Sequence, residues 1–296
     1  MAEVQVNRVV KSYDDRIVVN EISLSVHQGE IFGLIGPNGA GKTTTIRMMM
    51  DIIKPDSGEI RIFDESLNDA TKNGIGYLPE ERGLYRKLSV IDSLVYLASL
   101  KGMDSRLAAK KAEELLDRVG MLPHKKKRTE ELSKGMEQII QFLVTIIHDP
   151  RLIILDEPFA NLDPINTELI KGIILELRNE GKAIILSTHR MNEVEELCDH
   201  IFMINEGRGV LHGELAEIKS RYRNNSIFLK CDHLPDKLPG VIESKDKGKY
   251  MELLLDGHTP PQEVLSALIN KGVIVDQFEV STPSLNEIFI QVVKEE

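Results

Sequence analysis

An α/β fold built round a parallel sheet is predicted by three apolar runs of strand length and by the polar residues directly after each of them. Ile31-Phe32-Gly33-Leu34-Ile35 runs directly into GPNGAGKTT, Gly36 to Thr44. Leu152-Ile153-Ile154-Leu155 ends in Asp156-Glu157-Pro158, and Ala183 to Leu186 ends in Ser187-Thr188-His189. Such runs are apolar on both faces, as strands covered by helices on either side must be. Polar and ionisable residues collect just past their carboxyl ends, where open α/β sheets place ligands.

The remaining elements are taken in chain order. Period-two alternation around Ile17 to Val26 predicts antiparallel strands near the N-terminus. Met48-Met49-Met50 falls in the helix after the glycine-rich loop and reads as core packing. From Ser89 to about Ile147 the pattern turns helical, with Leu94, Leu97 and Ala98, then Leu115, Leu116 and Val119, on repeating faces. Between these helices Lys125-Lys126-Lys127-Arg128 reads as a solvated loop, or as a contact for acidic lipid or a partner. The central core resumes at Leu152 and ends near Leu211 to Gly213. After Arg221-Tyr222-Arg223-Asn224-Asn225 a polar, proline-bearing stretch leads to a helix over Pro261 to Asn270, a strand over Val273 to Val280 and a helix over Leu285 to Val293. The expectation is two domains, 1–220 with a helical part at about 86–150, and a small α+β domain at 221–296 that carries no catalytic pattern.

The strand-to-helix stretch Gly36-Pro37-Asn38-Gly39-Ala40-Gly41-Lys42-Thr43-Thr44 matches the phosphate-binding P-loop, G-x-x-x-x-G-K-[ST], in the context that motif requires. Glycines let several backbone N–H groups turn into one concavity, and the helix after the loop adds its positive dipole end. Lys42 is then expected to reach the β- and γ-phosphates and Thr43 to offer a hydroxyl to Mg²⁺. The chain therefore reads as a binder of a nucleoside triphosphate. Of the two carboxylates after Leu155, Asp156 suits Mg²⁺ and Glu157 suits the proton of a water attacking the γ-phosphate.

Composition narrows the class. The 296 residues suffice for one large or two modest domains. A formal net charge of −10 argues against nucleic acid as the main partner, since phosphate contacts need a basic surface. Two scattered cysteines, Cys198 and Cys231, suggest neither a disulfide frame nor a metal site, and a reducing cytosol is expected. Ile139 to Ile147, broken by Gln141, is shorter than the roughly 20 apolar residues of a membrane span and reads as a buried helix. MAEVQVNRVV lacks the layout of a signal peptide, so any membrane role is expected through a partner.

Three further pieces accompany the P-loop: ELSKGMEQ (Glu131 to Gln138), FANLD (Phe159 to Asp163) and His189. In order and spacing the whole set, over roughly Val4 to Gly213, resembles the ATP-binding cassette family. The resemblance implies a P-loop NTPase, RecA-like core with an antiparallel β subdomain and a helical subdomain. The P-loop is then Walker A, the strand with Asp156 and Glu157 Walker B, ELSKGMEQ the signature, Phe159 to Asp163 the D-loop and His189 the switch histidine. It further implies ATP sandwiched between Walker A of one cassette and Ser133 and Gly135 of another, with Asp163 nearby, so a homodimer of cassettes. Tyr13 sits where an aromatic stacks on adenine, and Glu80, in GYLPEERGLY, stands where the family usually has glutamine. A carboxylate there can still offer Mg²⁺ an oxygen. Lys134 and Met136 depart from the usual signature, while Ser133 and Gly135 keep its γ-phosphate contacts.

The wording LPEERGLY, LSKGM and Ser281 to Phe289 is similar to cassette ATPases that serve sodium, drug or antibiotic exporters in bacteria and archaea. An integral membrane permease encoded separately is the implied partner, with the chain peripheral on the inner face of the cell membrane. A kinase or GTPase is disfavoured: no NKxD tetrapeptide occurs, and such enzymes have no signature. The alternative is a non-transport cassette ATPase with a regulatory or nucleic-acid-linked role. Its DNA-repair members carry a long coiled-coil insertion and its ribosomal ones two cassettes in one chain, and neither feature occurs in this sequence.

Overall fold

The structure is a computed structural model and describes residues 2–81, 83–222, 226–235, 237–281 and 283–295. Arg82 of the LPEERGLY stretch, Arg223 to Asn225 at the expected change of character, and Thr282 lie outside the described residues. The chain divides into two compact units, Met1–Leu215 and Ala216–Glu296.

The first unit begins with two long strands, β1 (Ala2–Tyr13) and β2 (Arg16–His27), which pair antiparallel. With β4 (Ser57–Ile62) on the other edge of β1 they form a three-stranded antiparallel sheet. The alternation expected in β2 is realised toward its end, where Ile22, Leu24 and Val26 are buried and Glu21, Ser23 and Ser25 exposed. Between these strands run β3 (Ile31–Ile35) and α1 (Lys42–Met49); α2 (Asp69–Asn73) and β5 (Ile75–Leu78) come after β4. Met48 and Met49 are buried in one cluster with Val4, Val26, Leu34 and Ile154, so the methionine run is core packing.

The helical stretch resolves into α3 (Val90–Leu100), α4 (Ser105–Arg118) and α5 (Lys134–Ile146). Capping residues mark their starts: Ser89 accepts from the Asp92 N–H, Asp104 from those of Arg106 and Leu107, and Ser133 from that of Met136. Ile139, Ile140, Phe142, Leu143 and Ile146 of α5 are buried, and no helix among the described residues is long and apolar enough to cross a membrane. After α5 come β6 (Leu152–Asp156), α6 (Pro164–Asn179), β7 (Ala183–Thr188), α7 (Met191–Leu197), β8 (His200–Asn205) and β9 (Arg208–Glu214).

The central sheet has the order β5-β6-β7-β3-β8-β9, parallel from β5 to β8, with β9 antiparallel on the edge. Every residue of β3, β6 and β7 is buried, as expected of parallel strands covered on both faces. The spatial order is not the chain order: β7 separates β3 from β6. This crossover brings the carboxyl ends of four strands side by side, each carrying one of the motifs.

The second unit contains all but the first residue of α8 (Leu215–Arg221), then β10 (Ser226–Cys231), β11 (Val241–Asp246), β12 (Met251–Leu255), α9 (Pro261–Asn270), β13 (Val275–Val280) and α10 (Leu285–Glu295). Its four strands pair antiparallel in the order β11-β12-β10-β13. Ile227, Leu229, Leu253 and Leu255 of the sheet pack with Val264 and Leu268 of α9. The helices α9 and α10 and the strand β13 lie where the sequence predicts them, whereas it gives no sign of α8, β10, β11 and β12. These strands are short, and β11 (VIESKD) is exposed over five of its six residues, so no apolar alternation announces it.

Candidate nucleotide site

A cavity of about 410 Å³ opens at the carboxyl ends of the central strands. Asn38, Gly39, Gly41, Lys42, Thr43 and Thr44 line it together with Glu80, Asp156, Glu157 and Val18. The structure thus gathers four segments widely separated in sequence: the loop after β3, the bend after β5, the end of β6 and part of β2.

The loop conformation depends on glycine at two places. Gly36 has φ 149°, and a Cβ there would stand 2.1 Å from the Ile204 carbonyl oxygen on β8. Gly41, at φ 114°, directly precedes α1 and would place a Cβ 2.7 Å from the Val18 oxygen. The chain therefore wraps tightly between two neighbours and enters α1 with no side-chain cap on its first amides. Uncapped N–H groups at a helix start are a ready anion site.

Lys42 is nearly buried, at 7% exposure, and its Nζ donates to the Gly36 and Pro37 carbonyl oxygens at 2.8 and 3.1 Å. Burial lowers its pKa, while the charges of Glu157, Asp156 and Glu80 oppose that fall. The amine thus shares the cavity with three acidic side chains. Ala40 and Thr45 brace the loop: the Ala40 N–H donates to the Pro37 oxygen, and the Thr45 hydroxyl to the Gly41 oxygen.

Asp156, at the end of β6, is 1% exposed, and its Oδ2 has no hydrogen-bond partner. Burial pushes its carboxyl above the usual range, with the Ser187 and Thr43 hydroxyls opposing and the charges of Glu80 and Glu157 adding to the push. A buried, partnerless carboxylate oxygen beside Thr43 fits a divalent cation, because an isolated buried charge is costly without a counter-ion. Among the described residues no three or more His, Cys, Asp or Glu side chains converge to hold a metal by themselves. Mg²⁺ takes one or two carboxylates and fills the rest of its shell with water and phosphate.

Glu157 differs from Asp156 in kind. Its backbone sits at φ 49°, the left-handed region that non-glycine residues seldom adopt and that clusters at functional sites. The Glu157 N–H donates to the Ser187 oxygen at 2.9 Å, which fixes the turn against β7. Its Oε1 lies 2.7 Å from His189 Nδ1 and accepts from the His189 N–H at 3.2 Å, while Oε2 accepts from the Thr188 hydroxyl at 3.3 Å. The ends of β6 and β7 thereby form one acid–imidazole pair. The sequence names both residues but not their pairing or the part of Thr188; the motif LSTH is the available signal.

Not every expected residue joins this cavity. Tyr13, at the end of β1, is 45% exposed and does not line it, although Val18 on the neighbouring strand does. Val18 carries no sequence signal. Ser133 and Gly135 at the start of α5, and Asp163, which caps α6 through the Asn166 N–H, are also absent from the lining. The signature instead packs on the segment after β6: the buried Gln138 side chain donates to the Pro158 oxygen at 3.0 Å, and a Cβ on Gly135 would lie 3.1 Å from the Asn161 oxygen. Gln138 closes the signature stretch, but the sequence assigns it no role.

Comparison with known proteins agrees with this architecture. Residues 19–160 match the family model described as ABC transporter, and residues 213–293 that of the C-terminal domain of DrrA1-3-like ATP-binding proteins. The chain is 40% identical over 289 residues to the uncharacterized ABC transporter ATP-binding protein YhaQ of Bacillus subtilis (strain 168), covering 97% of each chain. It is 35% identical over 238 residues to the lipopolysaccharide export system ATP-binding protein LptB of Escherichia coli (strain K12), covering 78% of this chain and 99% of that one. The solved structure of CbiO1 from Clostridium perfringens, part of the ABC transporter complex cbiONQ, superposes with a TM-score of 0.65 at 27% identity, over 75% of this chain and 92% of that one. With a nucleotide cavity built from the same motifs and an end-to-end relative at this identity, the chain belongs to the ATP-binding proteins of ABC transporters and is an ATPase of that family.

Proposed function

We propose that the chain powers a membrane exporter by hydrolysing Mg²⁺-ATP at sites shared between two copies of itself, with a separately encoded permease choosing the cargo. The observation that carries this reading is the composition of the cavity. Lys42, Asp156, Glu157 and Glu80 converge there, while Ser133 and Gly135 stay outside it in the same chain. A γ-phosphate in the cavity would have a lysine and a helix start beneath it and an open side for a second cassette to cover. The likeness to LptB, an export-system protein, favours export; sodium, drugs and antibiotics are the cargo classes suggested by LPEERGLY and the tail wording.

In this mechanism Lys42 exchanges the Gly36 and Pro37 oxygens for those of the β- and γ-phosphates. The amides that begin α1 bind the same phosphates. Thr43, Asp156 and Glu80 would hold Mg²⁺, which when bound would neutralise charge on the phosphate oxygens. Glu157 takes the proton of the attacking water, and His189 holds its carboxylate in position. Tyr13 stacks on the base, Asp163 sits beside the shared site, and Ser133 and the Gly135 N–H reach the γ-phosphate bound by the other copy. Hydrolysis removes that shared anion, so nucleotide state biases the pair between closed and open arrangements.

The test is complementation. A Lys42→Ala chain and a Gly135→Asp chain are each expected to be inactive, and mixing them restores one composite site from intact halves. ATPase activity reappearing in the mixture supports shared sites. Inactivity of the mixture, together with crosslinking of Ser133 to the Walker A loop of its own chain, rejects them.

A further inference from the structure

A third carboxylate meets the acid–imidazole pair through Thr188. Glu193 is buried on α7, and among the described residues its side chain has two donors. Arg190 Nη1 reaches Oε1 at 2.9 Å, and the Thr188 hydroxyl faces Oε2 at 3.4 Å. The same hydroxyl lies 3.3 Å from Glu157 Oε2. Thr188 is itself buried at the end of β7, and its oxygen accepts from the Arg190 N–H at 3.1 Å. One hydroxyl therefore stands between the carboxylates of β6 and α7.

A hydroxyl carries a single proton, so Thr188 cannot donate fully to both. Each contact is longer than the usual O–H···O distance of about 2.7–2.8 Å, as expected of one proton divided between two acceptors. Burial weights the division. The Glu193 side chain is 5% exposed and that of Glu157 14%. A carboxylate with less access to water depends more on the donors the protein gives it. The exposed Arg190 covers Oε1 of Glu193, which leaves the Thr188 proton for Oε2. On Glu157 the two His189 contacts both fall on Oε1, so Oε2 is the oxygen open to a water.

The geometry points to Glu193 as a positioning residue for hydrolysis. By drawing the Thr188 proton toward itself, it keeps Glu157 Oε2 from carrying a donated hydrogen bond. A donor on a carboxylate stabilises the charged form and makes that oxygen a weaker proton acceptor. The inference rests on Glu157 as the base. In that step the water proton passes to Oε2 and the water oxygen bonds to the γ-phosphorus. The bond from that phosphorus to the β–γ bridging oxygen breaks, and ADP keeps its electron pair. Glu193 and Thr188 exchange no proton with the reactants; they set the strength of the acceptor. In Glu193→Gln the competing charge is gone and the hydroxyl turns to Glu157. The expected loss is about tenfold in rate, the weak end for a hydrogen bond to a charged group.

Single-turnover hydrolysis and the dissociation constant for ATP are measured on the full chain carrying Glu193→Gln, Thr188→Val or both. Glu193→Gln should slow hydrolysis about tenfold and leave the dissociation constant unchanged, a split that a merely structural role would not produce. With Thr188→Val there is no proton to divide, so adding Glu193→Gln should cost little, whatever the rate of that background. If Glu193→Gln does not fold, Glu193→Asp, which withdraws the carboxylate from Thr188, gives the same comparison. Wild-type hydrolysis by the Glu193 variant, an equal penalty in both backgrounds, or ATP affinity lost in step with the rate would each overturn the inference. Failure of the base assignment shows separately, as wild-type hydrolysis by Glu157→Gln.

Discussion

The pairing of Glu157 with His189 gives the sharpest test of the proposed chemistry. If Glu157 accepts the proton of the attacking water, Glu157→Gln should lower single-turnover hydrolysis by about 10²–10⁴-fold, the usual worth of a general base. His189 Nδ1 lies 2.7 Å from the Glu157 carboxylate, a charge-assisted contact of about 1.5–3 kcal/mol when shielded. The imidazole is 47% exposed and the carboxylate 14%, so the lower end applies, and His189→Ala alone should cost about tenfold. The double variant is decisive. If His189 acts only by holding Glu157, there is no carboxylate left to hold in the Glu157→Gln background, and adding His189→Ala should change little. Radiolabelled ATP at enzyme excess measures all four rates without interference from product release. A His189→Ala penalty of the same size in both backgrounds would refute the orienting role, because the two residues would then act independently. Hydrolysis by Glu157→Gln at the wild-type rate would remove Glu157 as the base altogether.

Two further expectations concern stability. Gly36→Ala should destabilise the first unit, because φ 149° and the 2.1 Å approach to the Ile204 oxygen leave no room for a methyl group. The backbone strain alone is about 1–3 kcal/mol, whereas Gly172→Ala, inside α6 with nothing within 4 Å of the new methyl, should stabilise by about 0.5–1 kcal/mol; urea denaturation compares them, and equal midpoints would contradict the crowding at Gly36. His148 has its pKa lowered from 6.5 to about 4, chiefly by burial, beside the Ile75 oxygen at 3.2 Å. The unfolded chain therefore binds more protons between these values, so folding stability should fall as pH drops from about 6.5 to about 4. His148→Gln should flatten that part of the profile, and an unchanged slope would rule His148 out as its source.

By itself the sequence determined the individual strands and the chemistry at their ends. Five consecutive apolar residues before a glycine-rich loop specify a buried parallel strand locally, and Gly-Lys-Thr, Asp-Glu and His each announce a chemical capacity wherever they fall. It also determined the helical stretch from Ser89 to about Ile147, whose apolar spacing is helical and whose runs Ser89, Asp104 and Ser133 cap. Of the C-terminal strands only β13 was legible; an edge strand such as Val241 to Asp246 buries almost nothing and so leaves no pattern. Only the tertiary structure decided which motifs meet. Placing β7 between β3 and β6 is a matter of sheet order, which no local pattern encodes, and it sets His189 against Glu157 across 31 intervening residues. The same applies to the run Lys125 to Arg128, which is visible in the sequence but meets the segment Arg86 to Ile91 only through backbone hydrogen bonds, such as that from the Val90 N–H to the Lys127 oxygen. Backbone conformation is local and can be read from neighbours in the chain; proximity between distant segments is fixed by the packing of the whole core.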